Sequence, residues 1–84
     1  MPNLIDRSSL LNMNMTKSGQ RFIISSINDE SPIKKRLCDI GITRGTIVTH
    51  LFDSPMGDPA AYLVRNTVIA LRSRDASKIE VYPL

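Results

Sequence analysis

The fold is decided by residues 46–72, TIVTHLFDSPMGDPAAYLVRNTVIALR. Apolar and polar residues alternate on both sides of a central loop, which is the pattern of β-strands. The loop itself is Pro55, Met56, Gly57, Asp58 and Pro59. Each proline fixes φ at about −65°, Gly57 can adopt a positive φ, and Asp58 can hydrogen-bond backbone close to itself. A flexible linker would use glycine and serine, so this composition predicts a rigid loop that presents a surface.

Five strands are predicted from the alternation and from the turn residues. They span residues 20–27, 46–52, 61–65, 68–72 and 79–82. Asn66 and Thr67 are predicted to turn the chain between the third and fourth strands, because Asn tolerates positive φ. Residues 74–78 are expected to form one helical turn. An open sheet this small would expose two edges, so the pattern favours a closed or nearly closed β-barrel.

A short helix is predicted between the first two strands. Ser31 is a suitable N-cap, and Pro32 suits the first helical position. Apolar residues then recur at helical spacing: Ile33, Leu37 and Ile40. Gly41 follows as the left-handed residue that ends the helix, with Ile42 placed to contact Leu37 across the closed end. The prediction is a helix of about two and a half turns over residues 32–40.

The composition indicates a single domain. The chain has 84 residues, and we expect residues 1–12 to form an extension and residues 13–84 to form the barrel. One cysteine excludes an internal disulfide and fits a reducing cytoplasm. No apolar run approaches the ~20 residues that cross a bilayer. We therefore expect a soluble, cytoplasmic domain that reaches the inner face of a membrane only through a partner.

The charge pattern does not favour a nucleic acid as partner. The net charge is +3, and Lys34, Lys35 and Arg36 are consecutive, which on a small domain is typical of a solvated face. Nucleic-acid modules add exposed aromatic residues or a reading helix to such a face. The two Phe and two Tyr of this chain occupy mostly strand positions, where they are expected to serve the core.

The reactive side chains argue against a metal site and against catalysis. Cys38 and His50 are single and lie on different predicted elements, whereas ferrous iron typically takes two histidines and a carboxylate. Asp53 and Asp58 are the nearest pair of acids and lack a third. With a single His and a single Cys that are not adjacent, no Ser/His/Asp or Cys/His arrangement is supported, and no Walker-type phosphate loop is present. The sequence predicts no metal, no cofactor and no enzyme activity.

Binding is the class of function that remains. Met56 is a flexible apolar thioether at the loop tip, which is suited to a partner's groove, although the pattern equally allows it to fold back onto the barrel. Arg36 and Asp39, one helical turn apart, are expected to form a weak surface ion pair. The predicted partner-binding residues are the 55–59 loop together with Lys34 and Arg36 on the helix.

These residues resemble the FeoA family, the small cytoplasmic accessory proteins of bacterial ferrous iron transport. The resemblance starts with an Arg-Leu-x-Asp-x-Gly segment that begins at Arg36 and with the 55–59 loop. It continues with Val64 and Arg65 and then with residues 69–72, and it runs from about Met15 to the end of the chain. Asn66 stands where the family usually has glycine.

The resemblance implies an SH3-like barrel with the helix inserted after the first strand. It also implies a partner, the FeoB membrane permease, whose cytoplasmic part hydrolyses GTP and on which the barrel would dock. Two alternatives stay open. One is a stand-alone regulatory domain resembling the C-terminal SH3-like domain of iron-dependent transcriptional repressors, although only about 14 residues precede the barrel here. The other is a small nucleic-acid-binding barrel.

Overall fold

A computed structural model of the chain describes residues 10–28 and 32–84. The predicted N-cap Ser31 lies outside the described residues, as does most of the predicted extension. The described strands are β1 Leu11–Asn12, β2 Arg21–Ile27, β3 Ile47–Asp53, β4 Ala60–Val64, β5 Thr67–Leu71 and β6 Ile79–Pro83. The helices are α1 Lys34–Asp39 and α2 Ser73–Ala76, and a 3₁₀ turn spans Met13–Met15.

All strands pair antiparallel in one sheet. Across the described residues the order is β1-β6-β2-β3-β4-β5, so β1 and β5 are its edges. The mainly β architecture with a helix after the first long strand is confirmed, with six described strands in place of five. The additional strand arises because Leu11 and Asn12 pair with Val81 and Glu80 of β6. The division of the chain at residue 12 stays a prediction.

The core lies on the inner face of the curved sheet and is closed by the helices. Its largest buried side chains are Tyr62, Phe22, Met13, Ile24, Leu37, Ile42 and Ile79. The Phe22 and Tyr62 rings meet edge to face, with centroids 6.4 Å apart, a favoured aromatic geometry. Phe52 is different, because 56% of it is exposed. A register shift between His50 and Phe52 interrupts the alternation of β3, so the expectation that the aromatics serve the core is wrong for Phe52.

The helix α1 ends as predicted but begins later. Gly41 has φ +100°, and the Ile42 N–H donates to the Leu37 carbonyl at 2.9 Å, which is the pattern of a glycine-terminated helix. The start differs, because Ile33 is the N-cap residue and accepts the first helical bond from the Leu37 N–H at 2.9 Å. Pro32 therefore lies in the preceding turn and not at the first helical position.

The turn between β4 and β5 lies one residue earlier than predicted. Arg65 and Asn66 have φ 49° and 68°, and Val64 pairs with Thr67 across them. A two-residue hairpin turn of this type needs positive φ at both central residues. Asn66 adopts positive φ readily, whereas Arg65 adopts it because the pairing of Val64 with Thr67 requires it. Thr67 consequently belongs to β5, and Arg65 is excluded from β4.

Tyr62 lies in the middle of β4 and is 1% exposed. Burial, with smaller contributions from the carboxylates of Asp53 and Asp58, raises the pKa of Tyr62 from 10.0 to about 12. The burial disfavours the phenolate because the charged form loses its hydration. The folded protein therefore holds the Tyr62 proton over a pH range in which the unfolded chain releases it.

Replacing Gly41 by Val should lower the free energy of unfolding by about 1–3 kcal/mol, because a β-branched residue is strained at positive φ. A Cβ at this position would also lie 3.3 Å from the Arg65 Cδ. Gly41→Asn is the matched variant and should lose less, since Asn tolerates positive φ. Urea denaturation of both variants measures the effect, and an unchanged midpoint for Gly41→Val would contradict this helix end.

Stability should fall between about pH 10 and pH 12 through Tyr62. The unfolded chain loses this proton at about pH 10, whereas the folded chain keeps it to about pH 12. The contribution is complete below the lower value and is lost as the pH rises through the window, by up to about 2–3 kcal/mol. Denaturation of the parent chain and of Tyr62→Phe across this range isolates the effect. Parallel curves for the two proteins would contradict it.

Candidate functional site

The loop between β3 and β4 is held closed by its own backbone. The Gly57 N–H donates to the Ser54 carbonyl at 2.7 Å, and the Ser54 N–H donates to the Pro59 carbonyl at 3.1 Å. Gly57 uses its freedom with φ +86°, and the Asp58–Pro59 bond is cis. These bonds give the 55–59 loop a defined shape, as its composition predicts.

The sequence led us to expect a hydrogen bond from Asp58 to backbone close to itself, but its side chain bonds elsewhere. Its Oδ1 accepts the N–H of Ser73 at 2.7 Å. Ser73 is the first residue of α2, where backbone N–H groups lack helical partners. The carboxylate therefore joins the loop to the start of α2, fifteen residues further along the chain.

Met56 projects from the tip of the loop and is 90% exposed. The sequence allowed Met56 either to project from the loop or to fold back onto the barrel, and in the structure it projects. Pro55, Gly57, Asp58 and Pro59 are exposed as well. The loop is thus a surface with one fully projecting apolar side chain.

A groove of about 590 Å³ lies between α1, the end of β5 and the start of α2. Its apolar lining is Ile33, Leu37, Ile40, Pro59, Ala70 and Leu71, and its charged lining is Arg36, Arg72, Arg74 and Asp75. We call it the α1–β5 groove. It brings together residues as far apart in the sequence as Ile33 and Asp75.

The α1–β5 groove contains some of the predicted binding residues and leaves others out. Arg36 and Pro59 line it together, whereas Lys34 lines a separate depression of about 300 Å³ with Cys38 and Arg44. Met56 stands outside both of these depressions. The predicted pair of Arg36 with Asp39 is not among the ion pairs of the described residues.

Arg72 and Arg74 are the groove residues that sequence reasoning missed. In the sequence they are two scattered cations near the end of a strand. The fold places them opposite Arg36 because β5 and α2 meet α1 across the groove. The spacing of Arg72 and Arg74 in the sequence did not predict the groove, since the third arginine, Arg36, belongs to α1.

A buried threonine and a buried histidine meet a half-exposed aspartate at β3. The His50 Nδ1 lies 2.9 Å from the Thr16 Oγ1, and its Nε2 lies 2.9 Å from the Asp53 Oδ1. His50 is 2% exposed, and its ring is 4.9 Å from that of Tyr62. The order of the three side chains resembles a catalytic triad, which the sequence did not indicate because Thr16 lies 34 positions before His50.

The hydrogen bonds of this cluster connect parts of the fold. The Thr16 hydroxyl donates to the Met13 carbonyl at 2.7 Å, and Thr16 is 6% exposed. A hydroxyl committed to a backbone carbonyl and shielded from solvent is not placed to attack a substrate. Both His50 nitrogens are likewise engaged, so neither is free to ligate a metal. Across the described residues there is no group of three His, Cys, Asp or Glu side chains that could hold a metal ion.

None of the helices formed by residues 10–28 and 32–84 has the length and apolar character that a bilayer crossing requires.

Comparison with known proteins places these features in a family. A family model described as the FeoA domain matches residues 11–83. A Porphyromonas gingivalis (strain ATCC BAA-308 / W83) protein described as an Fe(2+) transport protein A/Fe(2+) transporter FeoB fusion protein is 30% identical over 64 residues. That match covers 76% of this chain and 8% of the fusion protein, so the chain spans a small part of the length of this relative.

Solved structures share the fold. The solution structure of a FeoA-like protein from Clostridium acetobutylicum has a TM-score of 0.85 and 30% identity, over 90% of this chain and 88% of that one. A manganese-dependent transcriptional repressor has a TM-score of 0.80 at 18% identity, over 89% of this chain and 42% of that one, which is a likeness of fold alone. The SH3-like fold implied by the resemblance is therefore confirmed, and the chain belongs to the FeoA family.

Proposed function

We propose that this protein is a non-catalytic accessory component of bacterial ferrous iron uptake that docks on the cytoplasmic part of a FeoB-type permease. The observation that carries the proposal is the Porphyromonas gingivalis relative, in which an Fe(2+) transport protein A is fused to FeoB. The joining of the two proteins in one chain supports their association where they are separate chains. Where the two proteins are separate chains, this protein would bind the permease in the cytoplasm, at the inner face of the membrane.

The exposed surfaces support a docking role. The 55–59 loop is held in shape by its own hydrogen bonds and by Asp58, so little conformational freedom would be lost on binding. Met56 presents an apolar side chain at its tip. Pro59 joins this loop to the α1–β5 groove, where Arg36 and the apolar side chains of α1 lie. The proposed contact surface is therefore the loop together with α1.

The absence of catalysis is part of the proposal. The arrangement closest to a catalytic triad is the Thr16, His50 and Asp53 cluster, and its hydroxyl is buried and committed to the Met13 carbonyl. The protein would then act on the permease through contact alone, with no cofactor and no nucleic acid. The second candidate, a regulatory domain like that of the repressors, is supported by a likeness of fold alone, at 18% identity.

The direct test is binding of the full chain to the purified cytoplasmic domain of the permease by isothermal titration calorimetry. We expect saturable binding in the presence of either GTP or GDP. Absence of binding to that domain in both nucleotide states, with the chain folded, would overturn the proposal.

Truncation of Met56 to Ala should weaken this binding by about 1–2 kcal/mol, the range of an apolar anchor at an interface. The thermal midpoint should stay the same, because the side chain is 90% exposed. Met15→Ala is the matched control, since it truncates the same kind of side chain, 64% exposed in the 3₁₀ turn and outside both the loop and the α1–β5 groove. Equal weakening by both variants, or by neither, would show that Met56 is not an anchor.

The isolated chain should not bind Fe²⁺ stoichiometrically in the micromolar range. The reason is that both ring nitrogens of His50 are engaged and that Cys38 lies on a different element. Anaerobic calorimetric titration measures this, with Cys38→Ser and His50→Ala as the comparison variants. A stoichiometric isotherm that either substitution abolishes would refute the expectation.

A further inference from the structure

The α1–β5 groove runs beside a free strand edge. β5 is the last strand of the sheet formed by the described residues. In the hairpin, Val64 and Thr67 flank a two-residue turn and form a hydrogen-bonded pair, as do the residues at every second position onward. The N–H and C=O groups of Val68 and Ala70 therefore point away from β4. Ala70 also lines the groove, so unpaired backbone groups lie next to its apolar floor.

The floor of the groove is suited to apolar side chains. Leu37 is 2% exposed, and Ile33 and Leu71 are partly buried against the core. Ile40, on the same helix, is 41% exposed. The volume of about 590 Å³ falls in the range of about 300–1,000 Å³ that is usual for binding pockets. Alternate side chains of an extended peptide can enter such a floor while its backbone pairs with β5.

The charge of the groove selects an acidic occupant. Arg36, Arg72 and Arg74 face a single carboxylate, Asp75, so the charged lining is net positive. Asp75 lies 4.0 Å from the Arg74 Nε, and no described residue forms an ion pair with the other two arginines. Guanidinium groups recognise carboxylates through paired hydrogen bonds. Arg36 and Arg72 are therefore available to carboxylates from outside the chain, and Arg74 adds its charge beside Asp75.

We propose that the α1–β5 groove binds an extended acidic segment of a partner protein, which adds a strand to the free edge of β5. Its alternate apolar side chains enter the floor between α1 and Leu71, and its carboxylates pair with Arg36, Arg72 and Arg74. The inference deepens the proposed function and rests on its assignment of α1 as a contact surface. A second copy of this chain is a poor occupant, because its net charge is +3.

A nucleic acid is also disfavoured as the occupant. Single strands bind through stacking of bases on aromatic side chains together with a positive groove. The residues that line the α1–β5 groove in the described chain include no aromatic side chain. The floor instead consists of aliphatic side chains, which suit a peptide.

The charge requirement is tested with synthetic peptides. The probe is a fluorescein-labelled peptide of about eight residues in which valine and glutamate alternate, a strand-like pattern, titrated at neutral pH with the full chain and followed by fluorescence anisotropy. We expect saturable binding, about tenfold weaker for Arg36→Glu and for Arg72→Glu. Arg44→Glu is the matched control, because it makes the same charge change outside the groove, and should leave binding within about twofold. Equal losses in all three variants, equal binding of a valine–lysine peptide, or displacement by a single-stranded oligonucleotide would overturn the proposal.

Strand addition is tested without altering the protein. Alternate N–H groups of an added strand point towards and away from β5. One probe is N-methylated at every valine and the other at every glutamate. We expect one methylated probe to lose at least about tenfold in affinity and the other to bind like the parent peptide. Loss of binding in neither probe, or equal loss in both, would contradict pairing with the edge of β5.

The same variants separate this inference from the proposed function. If Arg36→Glu and Arg72→Glu bind the permease domain as tightly as the parent chain does, the groove inference fails while docking stands. If the acidic peptide binds as expected and the permease domain does not, the inference holds and the proposed partner is wrong.

Discussion

The hydrogen bond from the Ser73 N–H to the Asp58 carboxylate is the contact on which the functional surface depends. At 2.7 Å it joins the loop after β3 to the first turn of α2. Pro59, next to Asp58, and Arg72, next to Ser73, both line the α1–β5 groove. The pairing of Ala60 with Leu71 places these two residues side by side, and the Asp58 carboxylate ties the loop to α2 beside them. A hydrogen bond to an ionised acceptor is stronger than a neutral one, which suits this role.

The α1–β5 groove combines an apolar floor with three arginines, of which only Arg74 has an ion-pair partner among the described residues. Leu37 anchors the floor in the core, while Ile40 remains 41% exposed at its rim. Exposed arginines cost the monomer little because water solvates them. Their value would arise on binding, when a partner's carboxylates replace that water. The glycine-terminated end of α1 and the Asp58 bond hold the groove in shape beforehand, which reduces the entropy lost on association.

The Thr16, His50 and Asp53 cluster illustrates how a chemical pattern can serve structure. Its distances of 2.9 Å on both sides of the imidazole would suit an active site. Burial and the bond from the Thr16 hydroxyl to the Met13 carbonyl give it another role. It connects the segment before β2 to β3 beneath the sheet, and it satisfies a histidine that would otherwise be buried without partners.

The sequence by itself determined the local structure. Strand alternation, the glycine at the end of α1 and the rigid 55–59 loop follow from side-chain and backbone preferences within a few residues, and they agree with the fold. The prediction from sequence was wrong at the β4–β5 turn, where more than one pair of residues could form the turn. The pairing of Val64 with Thr67 places the turn at Arg65 and Asn66 and imposes positive φ on Arg65. Only the tertiary structure decided which cations share a surface. Arg36, Arg72 and Arg74 meet, and Lys34 does not join them, because sheet order and helix packing, and not spacing along the chain, set the distances between exposed side chains.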